Sequence, residues 1–302
     1  MPLVSIITVN YNHSHLTTEL LHSIALTNTY PNVEIIVVDN GSSVNPIPGW
    51  LQKYTDIHFI RSENNLGFAG GNNLGIKAAK GAYYFLVNND TEFTPKLVEI
   101  LIDTIVHNHH IGIISPKINY YDNKRMIQYA GFTEMNFSTA RNVCVGQFEN
   151  DNGQYDNIIG KTGFAHGAAM MVKKSAVEKT GLMSENFFLY YEEMDWCERI
   201  KKAGFEVWVN TKALIYHKES ISVGKNSLLK EFFMNRNRIL FIRRNAAPLQ
   251  RIIFYTYFFC MVTPRNILNY QFNKQKGFTR QIIKAIWWNI TNNINSKYLG
   301  FY

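Results

Sequence analysis

Residues 83–90 read Tyr-Tyr-Phe-Leu-Val-Asn-Asn-Asp. Tyr83 to Val87 is an unbroken run of aromatic and branched side chains without polar alternation. That pattern predicts a strand covered on both faces, as in a parallel sheet. The run stops at Asn88, Asn89 and Asp90, which suit a turn and not a sheet interior. Thr94-Pro95 then opens a helix to His107, with Thr94 as N-cap and Pro95 at the first helical position. A carboxylate thus stands just past the carboxyl end of a central strand, where open α/β sheets bind ligands. Asp90 has two readings: a turn residue, or an oxygen ligand holding a divalent cation against a diphosphate.

The same grammar runs through the first 80 residues. Leu3 to Val9 forms a first strand closed by Asn10-Tyr11-Asn12, and a helix follows from His15 to about Leu26. Val33 to Val38 forms a second buried strand closed by Asp39-Asn40-Gly41-Ser42, which completes a βαβ unit. Asp39 is either an Asx-turn before Gly41 or an acceptor for a base or ribose. After a short strand, Ile57 to Arg61, the glycine-rich run Asn64 to Gly75 reads as a turn before a helix ending near Ala79, open to a nucleotide. Its spacing is neither GxGxxG nor GxxxxGK[ST], which excludes a dinucleotide fingerprint and a P-loop.

Beyond Ile111 to Ser115, another strand, residues 117–162 form a polar stretch with short strands such as Val143 to Phe148. Gly163 to Val172 begins with small residues and becomes a strand, and Ser175 to Thr180 is a short helix ended by Gly181. Phe187 to Trp196 then places Glu192, Glu193 and Asp195 directly behind an aromatic run, at the start of a helix to Lys202. Acids there stabilise a helix dipole. Behind aromatics they are also partly desolvated, which raises a carboxylate toward the range of a general base. Glu206 to Asn210 and Ala213 to Tyr216 are strands, and His217 at their end is a structural residue or a metal ligand.

The chain has 302 residues, 46% of them hydrophobic and 18% charged, enough for one large α/β domain with an appendage. Cys144, Cys197 and Cys260 form no CxxC pair, which fits a reducing compartment. The start lacks the pattern of a signal peptide, and the longest apolar run, Ile252 to Val262, is short for a membrane span. Of 31 Lys and Arg, 15 lie from Lys212 onward, with only 2 of the 23 Asp and Glu. The tail therefore carries +13 and the rest −5. Asn235, Arg236, Arg238, Arg243, Arg244 and Arg251 punctuate aromatic and aliphatic residues in this helical tail, which ends with Trp287-Trp288. That matches either a helix lying on a membrane or an appendage packed on the domain. No helix-turn-helix, RNP or zinc pattern points to nucleic acid.

The order of these pieces resembles family 2 inverting glycosyltransferases of GT-A fold, especially bacterial rhamnosyltransferase-like members. The matching stretches are Val4–Asn12, Val37–Ser42, Asn64–Lys80, Phe85–Thr91, His166–Val172, Phe187–Gly204 and Tyr216–Ser222. Together they imply an α/β GT-A domain over 1–222, with a nucleotide-sugar half to about 115 and an acceptor half beyond it. A helical, basic-aromatic extension over 223–302 would associate with a membrane surface.

The resemblance also assigns roles. Asp39 would contact the nucleotide base, with Thr8, Asn10, Tyr11, Asn65, Gly71, Asn72 and Asn89 around the donor. Asp90 would be the last position of a DxD motif and bind Mg2+ or Mn2+ on the donor diphosphate. Asn88 stands where the family has its first aspartate, so His217 gains weight as a further metal ligand. Glu193 would be the base, with Asp195 as runner-up and Glu192 beside them. Inverting transfer of a sugar, with dTDP-rhamnose favoured over UDP-linked sugars, to a lipid-linked or cell-surface glycan acceptor at the cytoplasmic membrane face follows from the likeness. Two other classes fit the sequence less well. A sugar nucleotidyltransferase has a glycine- and arginine-rich loop after its first strand, where this chain has Asn10-Tyr11-Asn12-His13. A non-catalytic surface module would have no reason to keep Asp39, Asp90 and the acidic cluster together.

Overall fold

The computed structural model describes residues 1–218 and 227–301. The elements run β1 (Val4–Asn10), α1 (Ser14–Thr27), β2 (Val33–Asn40), α2 (Ile47–Leu51), β3 (Ile57–Ser62), α3 (Gly67–Ala78), β4 (Tyr83–Asn88), β5 (Thr91–Phe93) and α4 (Leu97–His107). They continue with β6 (Ile111–Tyr120), β7 (Ile127–Tyr129), β8 (Ile159–Lys161), β9 (Ala169–Lys173), α5 (Lys174–Thr180), α6 (Glu192–Lys202) and β10 (Glu206–His217). Four helices close the chain: α7 (Leu228–Asn245), α8 (Pro248–Tyr257), α9 (Thr263–Phe272) and α10 (Phe278–Thr291).

One sheet carries the order β3-β2-β1-β4-β9-β6-β10-β5, with β7 added to β6 and β8 to β10. The β1 to β4 strands are mutually parallel, β10 is parallel to β6, and β9 enters antiparallel between β4 and β6. The uninterrupted apolar run of β4 is explained by burial on both sides. Tyr84 and Leu86 join Ile7, Val38 and Met170 on one face, under α3 and α6. Tyr83, Phe85 and Val87 join Ile6 and Met171 on the other, against α1 and α4. The chain passes from β1 outward to β2 and β3, then returns to β4 on β1's opposite side. That reversal opens a crevice at the carboxyl ends of β1 and β4.

Four expectations change. Thr94 does not cap α4, because residues 91–93 first form β5 against β10 and the Thr94 hydroxyl donates to the Leu214 carbonyl oxygen. Helix α4 begins only at Leu97. The glycines after Asn64 lie inside α3 and not in a loop. They let the helix approach β1: a Cβ on Gly71 would come within 2.7 Å of Val9. Gly67, at φ +71, starts the helix where a Cβ would overlap the Phe188 carbonyl oxygen. Residues 143–148 form no strand; Cys144 makes one isolated bridge to Phe132. The segments around Asn210 and Leu214 are one strand with a register shift, not two.

The tail is built into the molecule. Ile239, Leu240, Phe241, Phe254, Phe258 and Trp288 share the core beneath α3 and α6. Of the two readings of the tail, helix α7 follows the packed appendage: it is largely buried, and Arg236 is fully enclosed. Apolar residues left outside lie on α8, α9 and α10: Ile252, Leu268, Phe272, Ile283 and Trp287, with Met261 between α8 and α9. Among the described residues no helix is long and apolar enough to cross a membrane. Ser222 and its preceding residues from 219, in the last motif and at the expected domain boundary, lie outside the described residues.

Candidate active site

The parallel register brings Asn10 beside Asp39 and Val9 beside Asn88, so three strands end together. Asp39 is buried and fully wired. Asn10 Nδ2 donates to its Oδ1 at 2.8 Å, Ser42 Oγ to the same oxygen at 2.5 Å, and Arg61 pairs with Oδ2. Arg61 ends the neighbouring strand in register with Asp39.

Antiparallel pairing of β5 with β10 sets Thr91 opposite His217 and thereby places Asp90 against the imidazole. The Lys218 N–H donates to the Asp90 carbonyl at 2.9 Å and locks the corner. His217 Nε2 lies 3.1 Å from Asp90 Oδ1, while Nδ1 lies 2.8 Å from Gln128 Oε1. Because Gln128 offers an acceptor, Nδ1–H is the donor there, and Nε2 faces the carboxylate, as an N–H donor when the ring is charged or as the nitrogen a cation would take in place of that proton. Burial would raise Asp90, but the hydrogen bond and charge of His217, its own backbone N–H and Lys218 carry it below the usual carboxylate range.

The residues fit a divalent ion. Adjacent ligands of an octahedral ion at about 2.1 Å stand roughly 3 Å apart, close to the 3.1 Å between Asp90 Oδ1 and His217 Nε2. No cluster of three or more His, Cys, Asp or Glu suited to a metal occurs among the described residues, so remaining ligands would come from donor and solvent.

A cavity of about 530 Å³ opens over this pair, within the range of small-molecule sites. Tyr11, Asn65, Asn89, Asp90 and His217 line it, as expected. Gln128, His166, Phe188, Tyr190 and Lys230 also line it and were not expected. His166 is held down to about 3 by burial and by neighbouring His217, and its Nδ1 accepts from the Ala168 N–H at 3.1 Å. A neutral ring bound that way offers Nε2–H as a donor. Nothing in the polar stretch marked Gln128, whereas Arg61 could have been found by aligning the ends of adjacent strands.

Other expected donor residues stand behind the cavity. Asn10 and Asp39 form its buried support. Thr8 lies in the core of β1, Gly71 faces Val9, and Asn72 bonds the Phe68 carbonyl within α3. Gly71 and Asn72 belong to the glycine-rich stretch, which is helical and packs on β1, whereas Thr8 belongs to the end of β1 itself.

The acidic cluster divides three ways. Asp195 is completely engaged: Ser184 and Arg199 donate to Oδ2 and Arg244 and Asn245 to Oδ1, all at 2.9–3.0 Å. This ties α6 to α7 and leaves no acceptor site for a substrate proton, which departs from its place as runner-up base. Glu192 is buried with no hydrogen-bond partner for Oε2, and burial and then Glu193 push it well above the ordinary range. Burial pushes Glu193 up to about 7, against backbone N–H groups of Glu193 and Met194 at the start of α6. Glu193 adjoins the His166 side of the cavity: a Cβ on Gly167 would sit 3.9 Å from its Cγ and 3.8 Å from Phe68.

The preceding loop holds Phe188, Tyr190 and Tyr191 at φ of 65°, 71° and 72°, a conformation costing roughly 1 kcal/mol or more for each non-glycine residue. Helix α7 holds it there. Asn237 Nδ2 shares its two hydrogens among the carbonyls of Phe187, Leu189 and Tyr190 at 2.7–2.9 Å. Arg236 bonds the carbonyls of Asn186 and Phe187.

Residues 5–181 match the model of "Glycosyl transferase family 2". The chain is 30% identical over 215 residues to the low-salt glycan biosynthesis hexosyltransferase Agl10 of Haloferax volcanii, covering 68% of this chain and 63% of that relative, just under two thirds of its length. It is 22% identical over 237 residues to the N-acetylglucosaminyl-diphospho-decaprenol L-rhamnosyltransferase of Mycobacterium tuberculosis, covering 72% of this chain and 76% of that one. The fold matches the mannosyltransferase PcManGT of Pyrobaculum calidifontis, solved with GDP-Man and Mn2+, at a TM-score of 0.59 and 14% identity over 96% of this chain and 87% of that one. A mixed sheet of GT-A architecture with these sequence matches makes the chain a member of glycosyltransferase family 2.

Proposed function

We propose that the protein is an inverting, metal-assisted glycosyltransferase that moves a sugar from a nucleotide-diphosphate donor to a hydroxyl of a lipid-linked or cell-surface glycan precursor. The observation that carries this reading is the Asp90–His217 pair, set 3.1 Å apart at the strand ends of a family 2 fold. Asp90 and His217 would hold Mg2+ or Mn2+, which when bound offsets the negative charge of the diphosphate. Tyr11, Asn65 and Asn89 shape the donor's berth, and the Asp39–Arg61 network stiffens its base end.

The acceptor oxygen bonds to the anomeric carbon from the face opposite the diphosphate. The bond from that carbon to the diphosphate oxygen breaks, and its electron pair leaves on the diphosphate. Glu193 takes the acceptor's hydroxyl proton, a role suited to a carboxylate raised to about 7. Glu192 keeps that end of α6 poorly solvated, and Asp195 anchors it.

The favoured donor is dTDP-rhamnose, supported by likeness to a protein named as a rhamnosyltransferase. A UDP-linked hexose is the second reading, supported by the relative named as a hexosyltransferase. We assign the transferase to 1–222 and a helical extension to 223–302. Exposed Ile252, Met261, Leu268 and Phe272 with Arg265 and Lys274 support a resting place on the cytoplasmic face of a membrane. A panel of dTDP- and UDP-sugars, scored for hydrolysis with and without a chelator, tests the reading. Metal-dependent release of a nucleoside diphosphate from one donor supports it, and silence across the panel overturns it.

A further inference from the structure

A second cavity, of about 410 Å³, opens between α7, α9 and α10. It shares Ser227 and Lys230 with the first. Ser227 caps α7, its Oγ accepting from the Lys230 N–H at 3.1 Å, so the shared edge is fixed in the fold. Tyr190 lines the first cavity and Tyr191 the second, and the next two residues are Glu192 and Glu193. The loop that runs into Glu193 therefore touches both chambers, while Glu193 itself adjoins the Gly167 and Phe68 side of the first.

The chemistry of the second chamber differs from the first. Its wall carries the amides Asn235, Asn266, Asn269 and Gln275, with the carboxylate Glu231. Glu231 accepts from Tyr270 Oη and Asn235 Nδ2, so its position is set from two sides. Tyr270 and Phe278 present aromatic surface. Arg238 borders the chamber, and its Nε is buried without an acceptor in the protein. Amides and a carboxylate bond hydroxyls as both donors and acceptors, and aromatic faces cover the apolar face of a sugar ring. No histidine–aspartate pair lines it, so it is poorly suited to a metal-bound diphosphate. Helix α9 turns Asn266, Asn269 and Tyr270 toward the chamber while Leu268 and Phe272 remain exposed.

We propose that this chamber is the acceptor site and binds a saccharide whose reacting end crosses the Ser227–Lys230 edge into the first cavity, which Glu193 adjoins near Gly167. The inference rests on the donor assignment above and adds where the second substrate sits.

Saturation-transfer NMR tests it on the full chain. The probes are octyl glycosides of glucose, galactose, N-acetylglucosamine and rhamnose below their micelle concentrations, with UDP or dTDP plus diamagnetic Mg2+ as a separate ligand. The wild type should saturate sugar-ring protons of at least one glycoside. Met234→Trp, which fills the chamber from its rim, and Asn266→Ala should each weaken that glycoside at least tenfold. Persistent nucleotide signals in the same variants show that they are folded. Sugar signals of equal strength in both variants, or none in the wild type, overturn the proposal. Signals confined to octyl-chain protons also overturn it, because they report the exposed apolar face. Failure of both nucleotides to bind the wild type strikes the donor assignment instead and leaves the glycoside result readable.

Discussion

Asp90 and Glu193 are both enclosed carboxylates, yet their surroundings push them in opposite directions. Burial would raise each. At Asp90 the imidazole of His217 outweighs burial and holds the group charged. At Glu193 burial prevails and carries the group up to about 7. The difference lies in what the fold sets nearby. Strand pairing fixes an imidazole nitrogen against Asp90, while Glu193 has backbone N–H groups at the start of α6 that do not offset its burial. A metal ligand works as a permanent anion, and a general base works best near the operating pH. One environment gives each kind, and substitutions at either end break the division in distinguishable ways.

The largest effect belongs to the base. Glu193→Gln should lower the transfer rate roughly 10²–10⁴-fold, the usual share of a general base. Donor affinity, measured by titration with UDP or dTDP and Mn2+, should stay within a few-fold. In the wild type, kcat/KM should fall about tenfold per pH unit below pH 7, because protonated Glu193 accepts no proton. A flat profile from pH 5 to 8, or full activity in Glu193→Gln, removes Glu193 from the mechanism.

At the other carboxylate the loss should appear in binding. Asp90→Asn keeps the shape and removes the charge, so metal-dependent donor affinity should drop by about 100-fold or more. Gln128→Leu leaves both ligands in place and frees the ring of His217. Outer-shell partners of this kind are worth about 10–100-fold in metal affinity, so its effect should be smaller and again seen in metal titration. Equal donor binding by Asp90→Asn and wild type, with and without chelator, would remove the metal from the Asp90 site.

Much of the strand-end region was legible because each strand there is a short apolar run that stops at Asn or Asp, and burial on both sheet faces demands that pattern. Asp90 and His217 met as expected because both close such runs. The glycine-rich stretch misled for a physical reason. Glycine disfavours helix in isolation, but close packing of α3 on β1 leaves no room for a Cβ at Gly71, and tertiary contact outweighs propensity. Gly71 and Asn72 are buried with that helix, and Thr8 is buried within β1. The roles of Arg236 and Asn237 are invisible in the sequence because both hold carbonyls of a loop about 50 residues away. A run of arginines beside aromatics fits a surface helix or a packed one, and only the fold reveals that this face of α7 is interior.

The smallest effect separates the two carboxylate environments by stability. A group raised in the folded protein retains its proton after the unfolded chain has lost its own, so its contribution is fully present below about pH 4.5 and fades as pH rises. Asp90, held low, behaves oppositely: its contribution is present above its ordinary value of 3.8 and disappears on acidification. Glu192→Gln removes one raised acid, whose Oε2 is buried without a partner, at constant shape. Its melting temperature should exceed the wild type's by a few degrees at pH 8, with the gap closing toward pH 4.5. Asp90→Asn should show its deficit at pH 6–8, and the deficit should shrink as pH falls below 3.8. Parallel pH–stability curves for the two variants would mean that burial alone governs both sites, and the opposition between them would then have no basis in His217.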